Sequence, residues 1–278
     1  MMFMTLPQPS DGFVWTQAPW GHVLKCRPLL EAADHLFTTG NLELRDRHGE
    51  WDQVAAELGV AAARLLLIKQ VHRADAVSAR RDRTGEWVRP EADVIVSDDE
   101  SSAIGVRVAD CAPVLLADRQ TGAVGAAHAG WRGTVQDAAG AAVRAMTREL
   151  GSDPDDLVAA VGPCLGPCCG EVGDDVAEAF KLAGHDAARL ARWFSRGPSG
   201  RLHLDLWTAN SDQLIASGLR PERVHVARLC TKTHADLFHS YRAAREHAGR
   251  MVAAITPPRL TSGGQDGCGA APGVGDGT

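Results

Sequence analysis

The stretch AVGAAHAGWRGTVQDAAGAAVRAMTREL, residues 123–150, decides how this chain folds. Its opening residues, Ala123–Ala127, form a short, continuous run of small apolar side chains, which predicts a buried strand. Further on, Val135, Ala138, Ala139, Ala142, Val143, Met146 and Leu150 recur on one helical face, and Gly151 follows as a stop. Thr134 is placed to cap this segment, and Asp137 three residues later completes a near capping box, so a helix is expected over Val135–Leu150. Between strand and helix lies a glycine-rich loop carrying a histidine, a tryptophan and an arginine. Strand, reactive loop and capped helix together are the working unit of a layered α/β protein.

The pattern continues on both sides. Helices are expected at Trp51–Leu58, Asp174–Leu182 and Trp207–Ser217, the last closed by Gly218. Strands are expected at Leu65–Ile68, Ala92–Ser97, Ile104–Val108, Val114–Ala117, Val158–Val161, Val224–Ala227 and Met251–Ile255. Closely mixed elements with no linker or repeat predict an α/β (α+β) fold, a single-domain layered α/β sandwich with mixed sheets; strand order is not readable. The expected organisation is a flexible N-terminal arm over 1–12, one domain over 13–259 and a disordered Gly-rich tail over 260–278. Residues 261–278 hold seven glycines and bury too little apolar surface to offset their ordering entropy.

Composition narrows the function. The 278 residues are 45% hydrophobic, ample for a core. With 29 basic and 35 acidic residues the net charge is −6, so no overall positive field exists to attract nucleic acid or an anionic membrane. No run reaches the ~18 apolar residues that span a bilayer. The N-terminus lacks a basic region and is interrupted by Pro7 and Pro9, unlike a secretory signal. A cytoplasmic protein acting on small molecules, with neither nucleic acid nor membrane as partner, is expected. Seven cysteines are too few for a disulfide scaffold, and reduced thiols are expected; a special cysteine is then a metal ligand or a nucleophile.

Three segments place reactive side chains at strand ends: Lys69-Gln70-Val71-His72, Ala109-Asp110-Cys111 and Ala127–Gly133. His72, Cys111 and His128 form a candidate zinc set, two imidazoles and a thiolate with an open fourth position. Spacing alone favours a plainer reading for each, a buried hydrogen-bonded histidine or a small apolar cysteine. Gly130 and Gly133 let backbone approach a ligand. Arg132, beside a helix start, is equally a phosphate contact or half of a surface ion pair. Asp110 reads as a proton-transfer or ligand-orienting group, or as a turn residue. Lys69 reads as a phosphate contact or a solvated lysine. The run Gly162–Gly173 carries Cys164, Cys168 and Cys169. It is expected to shape a tight loop over a cleft, because no histidine lies near it and adjacent cysteines chelate one ion poorly. Cys26 and Cys230 read as core, and Cys268 lies in the tail. The phosphate-binding motifs GxGxxG and GxxxxGK[ST] and the zinc-deaminase signature are absent from the sequence.

As a set, KQVH at 69–72, ADC at 109–111, AAHAGWRG at 126–133 and GPCCxEVG at 166–173 resemble the laccase-domain family, also labelled multicopper polyphenol oxidase, whose members include purine nucleoside phosphorylases with adenosine deaminase activity. The likeness spans about residues 34–256. It implies a compact α/β sandwich, zinc on His72, Cys111 and His128, and phosphorolysis of adenosine, inosine, guanosine or methylthioadenosine, with adenosine deamination at the same site. Asp110 and Cys111 are the expected catalytic residues, and Lys69, Gln70, Arg132, Asn41 and Cys168 the expected substrate and phosphate contacts. The family's alternative label implies a copper-dependent polyphenol oxidase, and a hydrolase using Cys111 as nucleophile is a third reading. Two departures alter the substrate-facing rim. In the His35–Leu42 loop, shorter than usual, Thr39 replaces an arginine, and Gly170 stands where tyrosine is common. A FSYRR-like pattern survives at Phe238–Ala243.

Overall fold

Residues along the central strands alternate between two cores. In the computed structural model, which describes residues 6–45, 48–197 and 199–258, two six-stranded sheets pack face to face. The first runs in the order β1 (Phe13–Ala18), β2 (Gly21–Cys26), β3 (Asp34–Thr38), β15 (Met251–Thr256), β7 (Ala103–Val108), β4 (Leu65–Leu67). The second runs β14 (Val224–Val226), β10 (Leu157–Val161), β8 (Ala112–Asp118), β9 (Val124–Ala129), β6 (Val94–Ser97), β5 (Ala76–Ala79). Pairing is mostly antiparallel, with β4–β7, β5–β6 and β10–β14 parallel. A small third sheet, β11 (Glu171–Val172), β13 (Leu202–Leu204), β12 (Phe194–Arg196), stands beside them.

The two-residue period of the strands distributes the side chains. On β8, Leu115 and Ala117 face the inter-sheet core, while Val114 and Leu116 face the outer one. On β15, Ala253 and Ile255 point inward, while Val252 and Ala254 meet Trp51 and Val54 of α2 (His48–Glu57). The outer face of the second sheet is covered by α4 (Ala138–Leu150) and α7 (Leu206–Ala216), through Ala142, Val143, Met146 and Leu214. The result is a helix–sheet–sheet–helix sandwich, the layered mixed-sheet α/β architecture expected. Among the described residues no helix is long and apolar enough to cross a membrane. Of the segment 1–12, residues 6–12 lie along the end of β14, where Ser10 donates from Oγ to the Val226 carbonyl at 2.6 Å. Residues 1–5 and the tail 260–278 lie outside the described residues.

One expected helix is two. Instead of a single helix over Val135–Leu150, α3 (Trp131–Val135) begins at Gly130 and ends before Asp137, whose φ of 61° is left-handed. Aspartate tolerates this conformation. Its carboxylate bonds Arg144 at 2.6 Å, and Gly140 leaves room for it, since a Cβ there would lie 2.3 Å from Asp137 Oδ2. Thr134 is therefore not the cap of the long helix. It sits inside α3 and donates back to the Gly130 carbonyl at 3.0 Å. The chain crosses from the first sheet to the second twice, between β4 and β5 and between β7 and β8. Both crossings carry site residues.

Candidate metal and substrate site

His128 is the second-last residue of β9, at the sheet end, and is buried. Cys111 lies in the β7–β8 crossing and His72 in the β4–β5 crossing. These three segments converge: one ligand atom from each of His72, Cys111 and His128 lies within 4.8 Å of the others. The two imidazoles meet edge to face with centroids 4.9 Å apart. Two of the backbones are strained, with φ of 60° at His72 and 87° at Asp110, a conformation that non-glycine residues adopt mostly where the surroundings enforce it.

At His72 the enforcing group is Asp93. Fully buried just before β6, its Oδ1 accepts from the His72 N–H at 3.0 Å and faces His128 Nδ1 at 2.7 Å. Its Oδ2 accepts from the Val71 and Arg73 N–H groups at 3.1 and 2.7 Å. One carboxylate thus folds the 71–73 loop onto β9 and fixes which nitrogen of His128 turns to Cys111. Sequence reasoning missed it; the available signal was an acid opening an otherwise apolar strand, since a buried charge requires partners. Burial acts to raise the Cys111 thiol, but His128 and His72 outweigh it and bring it down to about 6. Burial acts to lower His128, but Cys111 and Asp93 outweigh it and raise it to about 9. Gly130 is required by closeness: a Cβ there would lie 2.6 Å from Cys111 Sγ.

The three donors open into a cleft of about 740 Å³. Among the described residues its walls carry Arg45, Arg107, Arg132, Arg242, Arg245 and Arg250 against two acids, Asp110 and Glu246. Arg132 lies 4.3 Å above the ring of Trp131. Arg242 is anchored by Nη1 to the carbonyls of Cys169 and Glu171 at 3.1 and 2.9 Å. Both Asp110 oxygens are engaged, by Thr231 Oγ1 at 2.6 Å and the Arg242 N–H at 2.5 Å. The loop Gly162–Gly173 does form one wall, through Leu165, Gly170 and Val172. At Gly170 a Cβ would meet the Leu204 carbonyl at 2.4 Å.

The expected substrate contacts divide. Arg132 and Gln70 line the cleft. Gln70 is held there by a two-way bond with the Arg107 backbone at 2.7 and 2.9 Å. Lys69, Asn41 and Cys168 are outside the lining. Lys69 is exposed and paired with Glu91 at 2.7 Å, because its side chain points along the opposite side of the strand end from Gln70. Asn41 donates to the Trp20 carbonyl at 3.1 Å, and Cys168 faces Thr233. Arg45, Arg245 and Arg250 were not readable as site residues, since only the topology brings them to the cleft.

The family model described as multi-copper polyphenol oxidoreductase laccase matches residues 47–257. A purine nucleoside phosphorylase of Deinococcus radiodurans is 38% identical over 256 residues, covering 84% of this chain and 94% of that protein. Adenosine deaminase RL5, from an unknown prokaryotic organism, is 36% identical and covers 73% of this chain and 78% of its own length. The crystal structure of the Bacillus licheniformis hypothetical protein YfiH superposes with a TM-score of 0.79 at 25% identity, over 89% of this chain and all of that one. Relatives so named are consistent with an enzyme, and the matched span contains all three donor residues. The chain belongs to the multi-copper polyphenol oxidoreductase laccase family.

Proposed function

We propose that this chain is a zinc-dependent purine nucleoside phosphorylase that also deaminates adenosine. The observation that carries the proposal is the meeting of His72, Cys111 and His128 at one end of an arginine-lined cleft. One sulfur and two nitrogens fit a tetrahedral ion with one position left for substrate or water, the pattern of catalytic rather than structural zinc. Asp93 supports the fit, because it holds Nδ1 of His128 and leaves Nε2 to the ion, as partners of metal-bound histidines do. When bound, zinc supplies Lewis acidity to a substrate atom or a water.

The chain's own residues do the rest. Arg132 and Arg242, with the other cleft arginines, bind the hydrogen phosphate dianion and place one oxygen against C1′ of the nucleoside. That oxygen forms the new bond to C1′ as the C1′–N9 bond breaks and its electron pair leaves with the purine, which takes up, directly or through solvent, the proton that the hydrogen phosphate gives up. Positive charge developing on the ribose is met by the bound phosphate. Asp110 is a positioning residue: with both oxygens occupied it ties the Cys111 segment to Thr231 and to the backbone of Arg242. Trp131 gives Arg132 a platform that limits its rotamers. The test is purified protein of known metal content given adenosine with and without phosphate, followed by chromatography. Adenine with ribose-1-phosphate, and inosine, are expected; zinc-loaded protein that forms none of them refutes the proposal.

A second reading has its own observation. The Cys111 thiol held down to about 6 beside His128 is an ion pair of the kind that activates nucleophilic cysteines. Alkylation of Cys111 by iodoacetamide in zinc-loaded protein as fast as in metal-stripped protein would favour it over the metal site.

A further inference from the structure

Cys168, Cys169 and Cys230 gather into a second donor cluster. Their sulfurs all lie within 4.8 Å of one another, although Cys230 is more than sixty residues along the chain. The adjacent pair comes from the Gly/Pro loop and the third sulfur from the segment after β14. Backbone bonds join the two segments: Cys164 donates to the Leu229 carbonyl at 3.2 Å, and Thr231 donates to the Cys164 carbonyl at 3.0 Å. Gly166 allows the approach, since a Cβ there would lie 3.2 Å from Cys230 Cβ and 2.4 Å from the Trp207 ring. Adjacent cysteines in an extended chain chelate one ion poorly, but here the turn closed by the Cys169 N–H on the Gly166 carbonyl at 3.0 Å brings both loop thiols to one side, and that expectation from sequence is overturned. Cys230 is buried, Cys169 half-buried and Cys168 exposed, so the cluster is reachable from solvent at one corner. The neighbouring polar side chain is Thr233, whose Oγ1 lies 3.3 Å from Cys168 Sγ and 3.6 Å from Cys169 Sγ.

We propose that Cys168, Cys169 and Cys230 form a second metal site, distinct from the His72–Cys111–His128 centre, that binds one monovalent copper ion through three thiolates. The donor set is all sulfur, which selects soft cations, whereas the first centre mixes nitrogen with sulfur. Metal–sulfur bonds of about 2.3 Å require sulfurs about 4 Å apart in a trigonal site, so the observed cluster needs less than about 1 Å of closure. Three thiolates satisfy a three-coordinate Cu(I); Zn(II) would need a fourth ligand. Binding involves no redox step: each coordinating thiol loses its proton to solvent as its Cu–S bond forms. The cluster lies outside the cleft lining but is tied to it, because Arg242 bonds the Cys169 carbonyl, and Thr231, next to Cys230, bonds Asp110.

The test is anaerobic Cu(I) titration of the full chain, with zinc already loaded and a chromogenic Cu(I) chelator as competitor. One copper equivalent is expected, with an all-sulfur shell at about 2.3 Å in X-ray absorption. Cys168→Ser, at an exposed position, and Cys169→Ser should each weaken it at least tenfold while retaining the zinc equivalent. His128→Ala should lose zinc and keep the copper. Uptake abolished by His128→Ala, uptake unchanged in Cys168→Ser, or a cluster filled by Zn(II) and not by Cu(I) would each overturn the assignment.

Discussion

Replacing Asp93 by Asn should disable the first centre while changing a single non-hydrogen atom. The carboxylate accepts four hydrogen bonds, two on each oxygen: His72 N–H and His128 Nδ1 on Oδ1, Val71 and Arg73 N–H on Oδ2. An amide has a single acceptor oxygen, so either orientation turns an NH₂ group toward two donors. If it faces the loop, the Val71 and Arg73 amides lose their partner. If it faces His128, the imidazole must adopt the other tautomer and swing from Cys111. Each buried donor left unmet costs about 1–3 kcal/mol, so about 3 kcal/mol of stability is expected to go. For a domain of this size that is a fall in Tm of roughly 6–12 °C. Loss of the group orienting a metal-binding histidine should cost roughly 10–100-fold in zinc affinity. The assays are thermal denaturation of the metal-free protein and zinc competition against a chromogenic chelator. Asp118→Asn is the control: equally buried, Asp118 accepts from Gln120 and Thr121 in a turn remote from the cleft. Both bonds fall on Oδ1, which an amide keeps, so this variant should cost little in Tm and leave zinc affinity alone. An Asp93→Asn protein that melts with the wild type, or holds zinc as tightly, would show that the carboxylate does not organise the site.

Gly130→Ala should fold, since φ −69° and ψ 174° suit any residue, yet lose at least tenfold in zinc affinity because the new methyl displaces Cys111 Sγ by about 1 Å; unchanged affinity would contradict this. Arg132→Ala should raise the KM for phosphate about tenfold, roughly 1.4 kcal/mol of binding, whereas Lys69→Ala should leave it unchanged; steady-state kinetics with phosphate varied distinguishes the two, and equal effects would place Lys69 back at the site. His35 is fully buried, accepts from the Cys26 N–H at 2.8 Å, and burial lowers its pKa from 6.5 to about 4. The unfolded chain therefore takes the proton first, so this stabilisation is complete above about pH 6.5 and is lost as pH falls to about 4, a change on the order of 3 kcal/mol. Urea midpoints at pH 7 and 4.5 should converge for His35→Gln more than for wild type.

What the sequence revealed follows from which faces each element buries. β6, β8, β9, β10 and β15 are covered on both sides, so they read as uninterrupted apolar runs with nearly correct limits. β1 and β2 form an edge hairpin, and FVWTQA and GHVLKC carry no run or clean alternation to announce it. The break between α3 and α4 depends on one left-handed aspartate, which no periodicity records. Cys111 and the two histidines were legible by type and by motif. Their convergence was not, because it depends on Asp93 and on strand order. The same limit hid the thiol cluster: Cys168 and Cys169 were visible as a pair without a partner, and Cys230 looked like ordinary core, which by burial it also is.

Both crossings from the first sheet to the second carry a donor, so the His72–Cys111–His128 centre is a seam between the halves of the sandwich. An ion held there would work as a strain gauge. Any sliding of one sheet over the other would move Cys111 and His72 relative to His128, because the first two ride on the connecting segments and the third on a central strand. Substitutions in the inter-sheet core at Ile104 or Leu115, remote from the cleft opening, would then register as altered metal geometry before they register as unfolding. In such a fold the tightness of packing and the chemistry of the centre are set by a single mechanical coordinate.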